Sequence, residues 1–193
     1  MPNDPKQERE GNQLVEILVI STSLNAASRS RLLARAAAES LRGKGVSVRL
    51  LDLRESPLPL CDGDAAYDDP AVSDIEAAIQ RAAAVLIAAP VYNFDLSAAA
   101  KNLIELTGSA WEDKVVGFLC SAGGRSSYMS VMSFANSLML DFRSVIVPRF
   151  VYAVKSDFQD GRVASPEVLR RIDGLADRTV QMARALAGAI SVS

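Results

Sequence analysis

Five short apolar segments alternate with helical segments along this chain of 193 residues, and the alternation constrains the fold more than any other feature. The apolar segments cover residues 15–20, 46–51, 84–89, 115–120 and 145–151. The segments with helical character cover residues 32–41, 73–83, 97–106, 128–140 and 166–189. Strands that alternate with helices are typical of βαβ units, so we predict an α/β protein with a parallel sheet.

The residue pattern of each strand predicts its place in that sheet. Segments 84–89 and 115–120 are apolar throughout, as expected of central strands covered on both faces. Segment 46–51 alternates apolar and polar residues, which suits an edge strand. Segment 145–151 contains Pro148, which has no N–H to donate and suits the opposite edge. These placements predict strand order 2-1-3-4-5 with helices on both faces, the flavodoxin-like doubly wound fold, with its ligand beyond strands 1 and 3.

Composition excludes several classes of function. The net charge of −2 provides no positive field for nucleic acid or an anionic membrane, and no stretch approaches about 18 consecutive apolar residues, so we expect neither partner. The chain has no histidine, which excludes Ser-His, Cys-His and histidine-based zinc chemistry. Cys61 and Cys120 are far apart and form no CxxC motif, which favours a reducing, cytoplasmic location, and we expect Cys120 to be a buried core thiol.

The sequence also predicts an N-terminal tail, one long connection and the start of one helix. Residues 1–13 are polar and mixed in charge, so we predict a disordered N-terminal tail followed by one domain over 14–193. Residues 52–70 form a long irregular connection. Ser73, with Glu76 three residues on, predicts a capping box at the start of the second helix.

Residues 21–30, read STSLNAASRS, form the turn between the first strand and the first helix. Six of them carry hydroxyl or amide side chains, and the turn contains Arg29 but no acidic residue. The first N–H groups of a helix lack intrahelical acceptors, and the helix dipole favours anions there. The turn therefore predicts a phosphate site, although Ser, Thr and Asn also cap helices that bind nothing.

Two further loops follow strands 3 and 4 and are expected to meet the first loop at the same edge of the sheet. Loop 90–96 contains two aromatic residues and an amide beside Pro90. The aromatic pair either packs against the protein or contacts a ligand. Loop 121–127 contains Gly123 and Gly124, which form a tight turn or let backbone N–H groups approach a ligand. Neither GxGxxG nor GxxxxGK[ST] occurs. Together the loops predict a site for a phosphate at one end and a flat polar ring at the other.

These motifs resemble those of the NAD(P)H-dependent FMN reductases, in particular the branch that supplies two-component monooxygenases. The first loop of that family runs G-S-x-R-x-x-S. Residues 22–28, read TSLNAAS, match it with Thr22 in place of Gly and Asn25 in place of Arg. The second motif, P-x-Y-N and then a helix with Lys-Asn, is matched at 90–93 and 101–102. A Gly-rich turn at 122–124 completes a resemblance that extends over about residues 15–155.

The resemblance implies FMN as cofactor, NADPH or NADH as co-substrate, and hydride transfer through the flavin to a small-molecule acceptor. It implies that the FMN phosphate is held by Ser23, Asn25, Ser28, Arg29 and Ser30. It implies that the ring and ribityl chain contact Pro90, Tyr92, Asn93, Phe94, Ser121, Gly123 and Gly124. No side chain is assigned a catalytic role, because the flavin carries the chemistry.

Several charged residues around this site have open roles. Asn25 lacks the charge of the arginine that it replaces, and Arg29 is positioned to compensate for it. Asp95 would repel an anionic reduced flavin. Lys101 and Arg125 are candidates to attract the coenzyme phosphates, or are solvated surface charges.

The fourth helical segment predicts how the chain assembles. Residues 128–140 are apolar almost all round, so this helix is either covered by the terminal helix or buried in a subunit interface. Members of the family are commonly dimers or tetramers, which favours a homo-oligomer through 128–140. Three other functions stay open: a quinone or azo reductase, a flavodoxin-type electron carrier without turnover, and a phosphate-binding module without flavin.

Overall fold

The computed structural model describes residues 15–190, and the tail predicted over 1–13 lies outside the described residues. The sheet is built from β1 (Glu16–Ser21), β2 (Ser47–Asp52), β3 (Ala84–Tyr92), β4 (Asp95–Leu96), β5 (Val115–Ala122), β6 (Val145–Ile146) and β7 (Val151–Val154). Two more strands, β8 (Phe158–Gln159) and β9 (Arg162–Val163), form a separate hairpin. The helices are α1 (Arg29–Arg42), α2 (Pro70–Arg81), α3 (Ala98–Thr107), α4 (Met132–Phe142) and α5 (Pro166–Ile190).

The strand order confirms the predicted flavodoxin-like fold. The parallel strands are arranged β2-β1-β3-β5, and β6 and β7 both pair with β5 at the far edge. α1 and α5 pack on one face of the sheet, and α2, α3 and α4 pack on the other. β3 and β5 are buried on both faces, as their apolar sequences predict. None of the helices within residues 15–190 is long and apolar enough to cross a membrane.

The start of the second helix differs from the predicted capping box. α2 begins at Pro70, and the carboxylate of Asp69 caps it by accepting a hydrogen bond from the Ala71 N–H at 2.8 Å. Proline suits the first turn of a helix because its fixed φ matches the helix and its missing N–H needs no acceptor there. The cap predicted at Ser73 is therefore wrong, because a stronger signal lies one turn earlier.

The last strand lies at the predicted edge but is not continuous. β6 pairs with the start of β5 and β7 with its end, and residues 147–150 between them leave the strand. Pro148 cannot donate a hydrogen bond, and Arg149 adopts a left-handed φ of 61°. The predicted single strand over 145–151 is therefore wrong, and its break leaves a recess at the sheet edge.

The helix predicted over 128–140 is also two elements. A 3-10 helix covers Arg125–Val131, and α4 follows it. α4 buries Phe134, Ala135 and Leu138 against the sheet, and it leaves other apolar side chains exposed. The terminal helix does not cover that second face, because α5 packs on the opposite side of the sheet.

β3 extends farther than the predicted 84–89. It runs through Pro90 to Tyr92 and turns back through Asn93 and Phe94 into β4, which pairs antiparallel with it. The predicted loop 90–96 is therefore a tight hairpin at the carboxyl end of a central strand.

Candidate functional site

A crevice of about 520 Å³ opens at the carboxyl ends of β1, β3 and β5. It brings together nine of the twelve predicted site residues: Ser23, Asn25, Ser28, Arg29, Pro90, Tyr92, Asn93, Ser121 and Gly123. Ala27, Val91 and Ala122 complete the lining. The three predicted loops therefore meet at one place, as the order of the strands requires.

Three predicted site residues do not line the crevice. Ser30 is fully buried and hydrogen-bonds through its hydroxyl to that of Ser28 at 2.8 Å. Phe94 lies at the tip of the hairpin with 57% of its surface exposed. Gly124 comes directly after Gly123 in the chain, outside the crevice lining, and its carbonyl accepts a hydrogen bond from the Tyr152 O–H at 2.6 Å.

The N-terminus of α1 faces the crevice and is capped by Ser28. The Ser28 Oγ accepts a hydrogen bond from the Arg31 N–H at 3.2 Å, which leaves the N–H groups of Arg29 and Ser30 without an intrahelical acceptor. Arg29 is half-buried and contributes the only charged side chain in the lining. This end of the crevice therefore presents donors and positive charge to an anion.

Asn25, in place of the family arginine, stabilises the turn itself. Its Oδ1 accepts a hydrogen bond from the Ala27 N–H at 2.9 Å, and the Ser23 Oγ accepts one from the Asn25 N–H at 3.3 Å. Both are local side-chain bonds of the kind that Ser and Asn form in turns. The Asn25 side chain therefore stabilises the shape of the loop, but it does not supply the positive charge of the family arginine.

A second arginine, which sequence reasoning missed, holds the loop from behind. The Arg31 guanidinium donates hydrogen bonds to the carbonyls of Asn25 at 3.0 Å, Ala26 at 3.1 Å and Ser23 at 3.3 Å. The same group forms a two-pronged ion pair with Asp52 at the end of β2. Arg31 does not line the crevice, so it acts on the crevice through the loop that it holds.

The Arg31–Asp52 pair is nearly buried, with 10% of each side chain exposed. Burial by itself raises the pKa of the Asp52 carboxyl, but hydrogen bonds from Arg31 and from the Arg54 N–H outweigh it and lower that pKa below its usual value. The hydrogen bond to Asp52 likewise raises the pKa of Arg31. A signal for this pair was present in the sequence, since a cation in the first turn of a helix opposes the helix dipole and needs a partner.

Two other motif residues also connect elements. The Thr22 hydroxyl donates to the Ala88 carbonyl at 3.3 Å and lies 3.5 Å from the Ser97 hydroxyl, which joins the first loop to β3 and α3. Asn102 donates to the Pro59 carbonyl at 2.8 Å and accepts from the Cys61 N–H at 2.8 Å. The Lys-Asn motif thus secures the 59–61 segment, while Lys101 pairs with Glu105 at 3.0 Å.

The hairpin at the other end of the crevice is exposed and strained. Asn93 and Phe94 have left-handed φ values of 51° and 66°, which are unusual for an aromatic residue. Tyr92 is 55% exposed beside them. Asp95, expected to repel a reduced flavin, does not line the crevice, and its carboxylate accepts hydrogen bonds from the Leu96 N–H at 2.7 Å and the Ser133 hydroxyl at 2.8 Å.

The glycine turn leaves space at the same end. A Cβ added to Gly123 or Gly124 meets no atom within 4 Å. The backbone of Gly123 is therefore accessible to a ligand in the crevice. Within residues 15–190 no group of three or more Cys, Asp and Glu side chains is placed to bind a metal.

The chain is similar to known proteins over most of its length. The family model of NADPH-dependent FMN reductases matches residues 15–159. The chain is 28% identical over 166 residues to a probable NADPH:quinone oxidoreductase 2 of Oryza sativa subsp. japonica, covering 80% of this chain and 81% of that protein. It is 27% identical over 172 residues to the NADH-dependent FMN reductase SfnF of Pseudomonas fluorescens, covering 87% of this chain and 91% of that protein.

A solved structure shares the fold. The flavoenzyme NAD(P)H:(acceptor) oxidoreductase FerB of Paracoccus denitrificans superposes with a TM-score of 0.73 at 19% sequence identity. The match covers 89% of this chain and 98% of that one.

Proposed function

This chain belongs to the NADPH-dependent FMN reductase family, and we propose that the crevice at the carboxyl ends of β1, β3 and β5 is where it holds FMN. It is an NAD(P)H-dependent flavin oxidoreductase that uses FMN. The FMN phosphate is assigned to the α1 end, and the flat ring to the end between the hairpin and the glycine turn. We also propose that residues 14–193 form one FMN-binding domain.

The donor set of the crevice carries this proposal. Its lining contains the Arg29 guanidinium and the hydroxyls of Ser23 and Ser28, and it contains no Asp or Glu. FMN ends in a phosphate that is anionic at neutral pH, and such a group binds N–H and guanidinium donors. A carboxylate in the lining would oppose it. The residues present therefore fit FMN, with Ser30 supporting Ser28 from the protein interior.

The flavin supplies the redox chemistry when it is bound, by accepting a hydride from a nicotinamide and passing the electrons to an acceptor. The residues of this chain bind the flavin and orient it. The loop over 23–28 would hold the phosphate, and Pro90 and Asn93 would border the ring. Tyr92, which is more than half exposed, would lie beside the side of the ring that the co-substrate and the acceptor approach in turn.

The test measures binding and turnover separately. Titration of the full chain into FMN follows the quenching of flavin fluorescence, and NADPH loss is then measured with FMN or a quinone as acceptor. We expect saturable quenching and NADPH consumption with both acceptors. A protein that leaves FMN fluorescence unchanged overturns the proposal and favours the module without flavin.

The acceptor distinguishes the remaining alternatives. A flavodoxin-type carrier would bind FMN but would not consume NADPH in air. Quinone reduction is the second candidate function, because one relative is named as a quinone oxidoreductase. A ratio of kcat/KM for quinone over FMN above about tenfold, or about 1.4 kcal/mol, would assign the chain to the quinone reductases.

We further propose a homodimer or homotetramer through residues 128–140. This stretch leaves Met129, Met132, Met139 and Leu140 exposed, with Leu140 at 86%. Exposed apolar side chains that cluster on one face mark interaction surfaces. Light scattering is expected to give a dimer or tetramer mass, and Leu140→Glu is expected to shift it toward the monomer. Glu105→Gln on α3 is the control.

We propose a cytoplasmic location, because neither cysteine forms a disulfide. Cys61 and Cys120 are both free thiols, and burial raises the pKa of Cys120 to about 12. Free thiols are typical of reducing compartments. Fractionation of the source cells tests this location.

A further inference from the structure

A second cavity, of about 760 Å³, lies beside the break in the last strand, between residues 147–150 and α5. We call it the arginine groove, because four of its lining residues are Arg149, Arg170, Arg171 and Arg178. Glu167 is the only carboxylate in that lining. The whole chain has a net charge of −2, so this positive charge is a local concentration.

The ion pairs within the groove leave positive charge uncompensated. Glu167 pairs with both Arg170 and Arg171, the latter at 2.9 Å. Arg178 donates to the neutral amide of Gln181 at 2.8 Å, and within residues 15–190 Arg149 makes no ion pair. Like charges so close together repel one another, and an anion bound between them relieves that repulsion.

An aromatic pair lines the same groove. The rings of Tyr128 and Phe150 stack with centroids 4.6 Å apart and planes 24° apart, and Tyr128 is 39% exposed. A partly exposed aromatic face stacks favourably on a flat ring, as nucleotide bases do on aromatic side chains. Gly174 of α5 lines the groove without a side chain, and the space beside it is open, because a Cβ added there meets no atom within 4 Å.

A chain of side-chain contacts leads from the groove toward the end of the proposed flavin crevice that is assigned to the ring. Tyr128 packs edge-on against Tyr152 at 5.6 Å, and the Tyr152 O–H bonds the Gly124 carbonyl. Gly123, which directly precedes Gly124 in the chain, lines the crevice. A smaller cavity lined by Arg125 and Tyr152 shares three lining residues with the groove, namely Tyr128, Glu167 and Arg171.

We propose that the arginine groove binds the adenosine end of NADPH, with the purine against Tyr128 and Phe150 and the 2′-phosphate on Arg149 and Arg178. This proposal rests on the proposed function of the crevice. The ligand class follows from the chemistry: guanidinium groups bind phosphate by paired hydrogen bonds, arginine accommodates the 2′-phosphate of NADP, and the volume lies within the range of nucleotide-sized sites. Of the two sequence candidates for coenzyme phosphates, Arg125 lines the smaller cavity that shares residues with the groove.

The proposal predicts a preference for the coenzyme that carries the 2′-phosphate. NADH has the same purine but lacks the group that Arg149 and Arg178 would bind. The KM for NADPH is therefore expected to rise about tenfold in Arg149→Gln and in Arg178→Gln, while the KM for NADH changes less than twofold. Arg184→Gln is the matched control, because Arg184 lies on the same helix, is exposed, and does not line the groove.

Calorimetry of the full chain without added flavin tests the groove independently of turnover. Adenosine 2′,5′-bisphosphate is expected to bind about tenfold more tightly than adenosine 5′-monophosphate. Arg149→Gln is expected to weaken bisphosphate binding about tenfold, and Gly174→Glu, which adds bulk and negative charge, to abolish it. Circular dichroism checks that Gly174→Glu folds, which helix propensity favours.

The outcomes separate this proposal from the proposed function. A chain that quenches FMN fluorescence and consumes NADPH, but whose bisphosphate affinity is unchanged in Arg149→Gln and Gly174→Glu, overturns the groove and leaves the function standing. A chain that binds the bisphosphate but not FMN overturns the function of the crevice. Binding of polyglutamate in the groove without binding of the bisphosphate assigns the groove to an acidic protein segment and overturns the nucleotide proposal.

Discussion

The two ends of the crevice are built differently. At the end proposed to bind the phosphate (the phosphate end), Ser23 and Ser28 are buried, and the loop between them is held by its own turn bonds and by the Arg31–Asp52 pair. At the end proposed to bind the ring (the ring end), Tyr92 and Phe94 are more than half exposed on a hairpin with left-handed backbone.

This difference suits a flavoenzyme whose two substrates take turns. Ordering a loop costs about 1–2 kcal/mol of backbone entropy per residue, so a loop that is ordered beforehand binds its ligand more tightly. The exposed ring end leaves room for a nicotinamide and an acceptor in succession. We infer that affinity for FMN is set at the phosphate end and selectivity for partners at the ring end.

The largest effect is expected when Arg31 is removed. Arg31→Met leaves Asp52 nearly buried without its partner and frees three loop carbonyls, so the free energy of unfolding is expected to fall by about 3 kcal/mol. FMN affinity is expected to fall about a hundredfold, or about 2.7 kcal/mol. Urea unfolding and fluorescence quenching measure the two effects. Arg42→Met, in the last turn of the same helix and exposed, is the control.

A double variant separates stability from loop geometry. Arg31→Met with Asp52→Leu removes both charges, so stability is expected to recover most of its loss, because no unpaired charge stays buried. FMN affinity is expected to stay low, because the loop carbonyls still lack their donor. Recovery of both quantities together would show that Arg31 acts on FMN only through stability.

The hydroxyl groups at the same end have the next largest effect. Replacing Ser23 and Ser28 together with Ala is expected to weaken FMN binding by about 1–3 kcal/mol, because the phosphate loses its side-chain donors. Loss of the Ser28 cap is expected to lower stability by about 1 kcal/mol as well. Ser47→Ala, at the exposed start of β2, is the control. Unchanged FMN affinity would reject the placement of the phosphate.

Acid tests the Arg31–Asp52 pair in the wild-type protein. The pKa of Asp52 is lowered in the folded state. The ionised Asp52 therefore stabilises the fold above the ordinary pKa of an aspartate, about 4, and this stabilisation is lost as the pH falls further. Urea midpoints measured from pH 7 to pH 3 are expected to fall less steeply in Asp52→Asn than in wild type. The exposed Asp160→Asn is the control and is expected to follow wild type.

The smallest effect is expected at the ring end. Phe94→Gly relieves a left-handed conformation that costs an aromatic residue about 1 kcal/mol, so stability is expected to rise slightly. FMN affinity is expected to stay within twofold of wild type, because Phe94 does not line the crevice. The KM for the acceptor is expected to rise. Asn93→Gly relaxes the same turn but keeps the aromatic ring, and an equal rise in KM there would assign the effect to the backbone.

Local patterns predicted most of the fold. The apolar runs of β3 and β5 and the alternating β2 predicted their places in the sheet, because hydrophobic periodicity is read within a few residues. Local signals failed where two of them competed. Asp69 with Pro70 and Ser73 with Glu76 both predict a helix start, and the helix begins at the earlier pair, where Asp69 caps it and proline needs no hydrogen-bond acceptor.

The sequence by itself determined the α/β class, the strand order and the three loops that meet at the crevice, because the patterns that predict each of them are read from residues close together in the chain. Only the tertiary structure decided how the phosphate loop is held and where the arginine groove lies. Arg31 and Asp52 are 21 residues apart, and they meet because β2 pairs with β1 in a register that sets Ser21 beside Asp52. The groove is lined both by Arg149, beside the break at Pro148, and by Arg178 on α5, and no local pattern predicts that two such distant residues line one cavity.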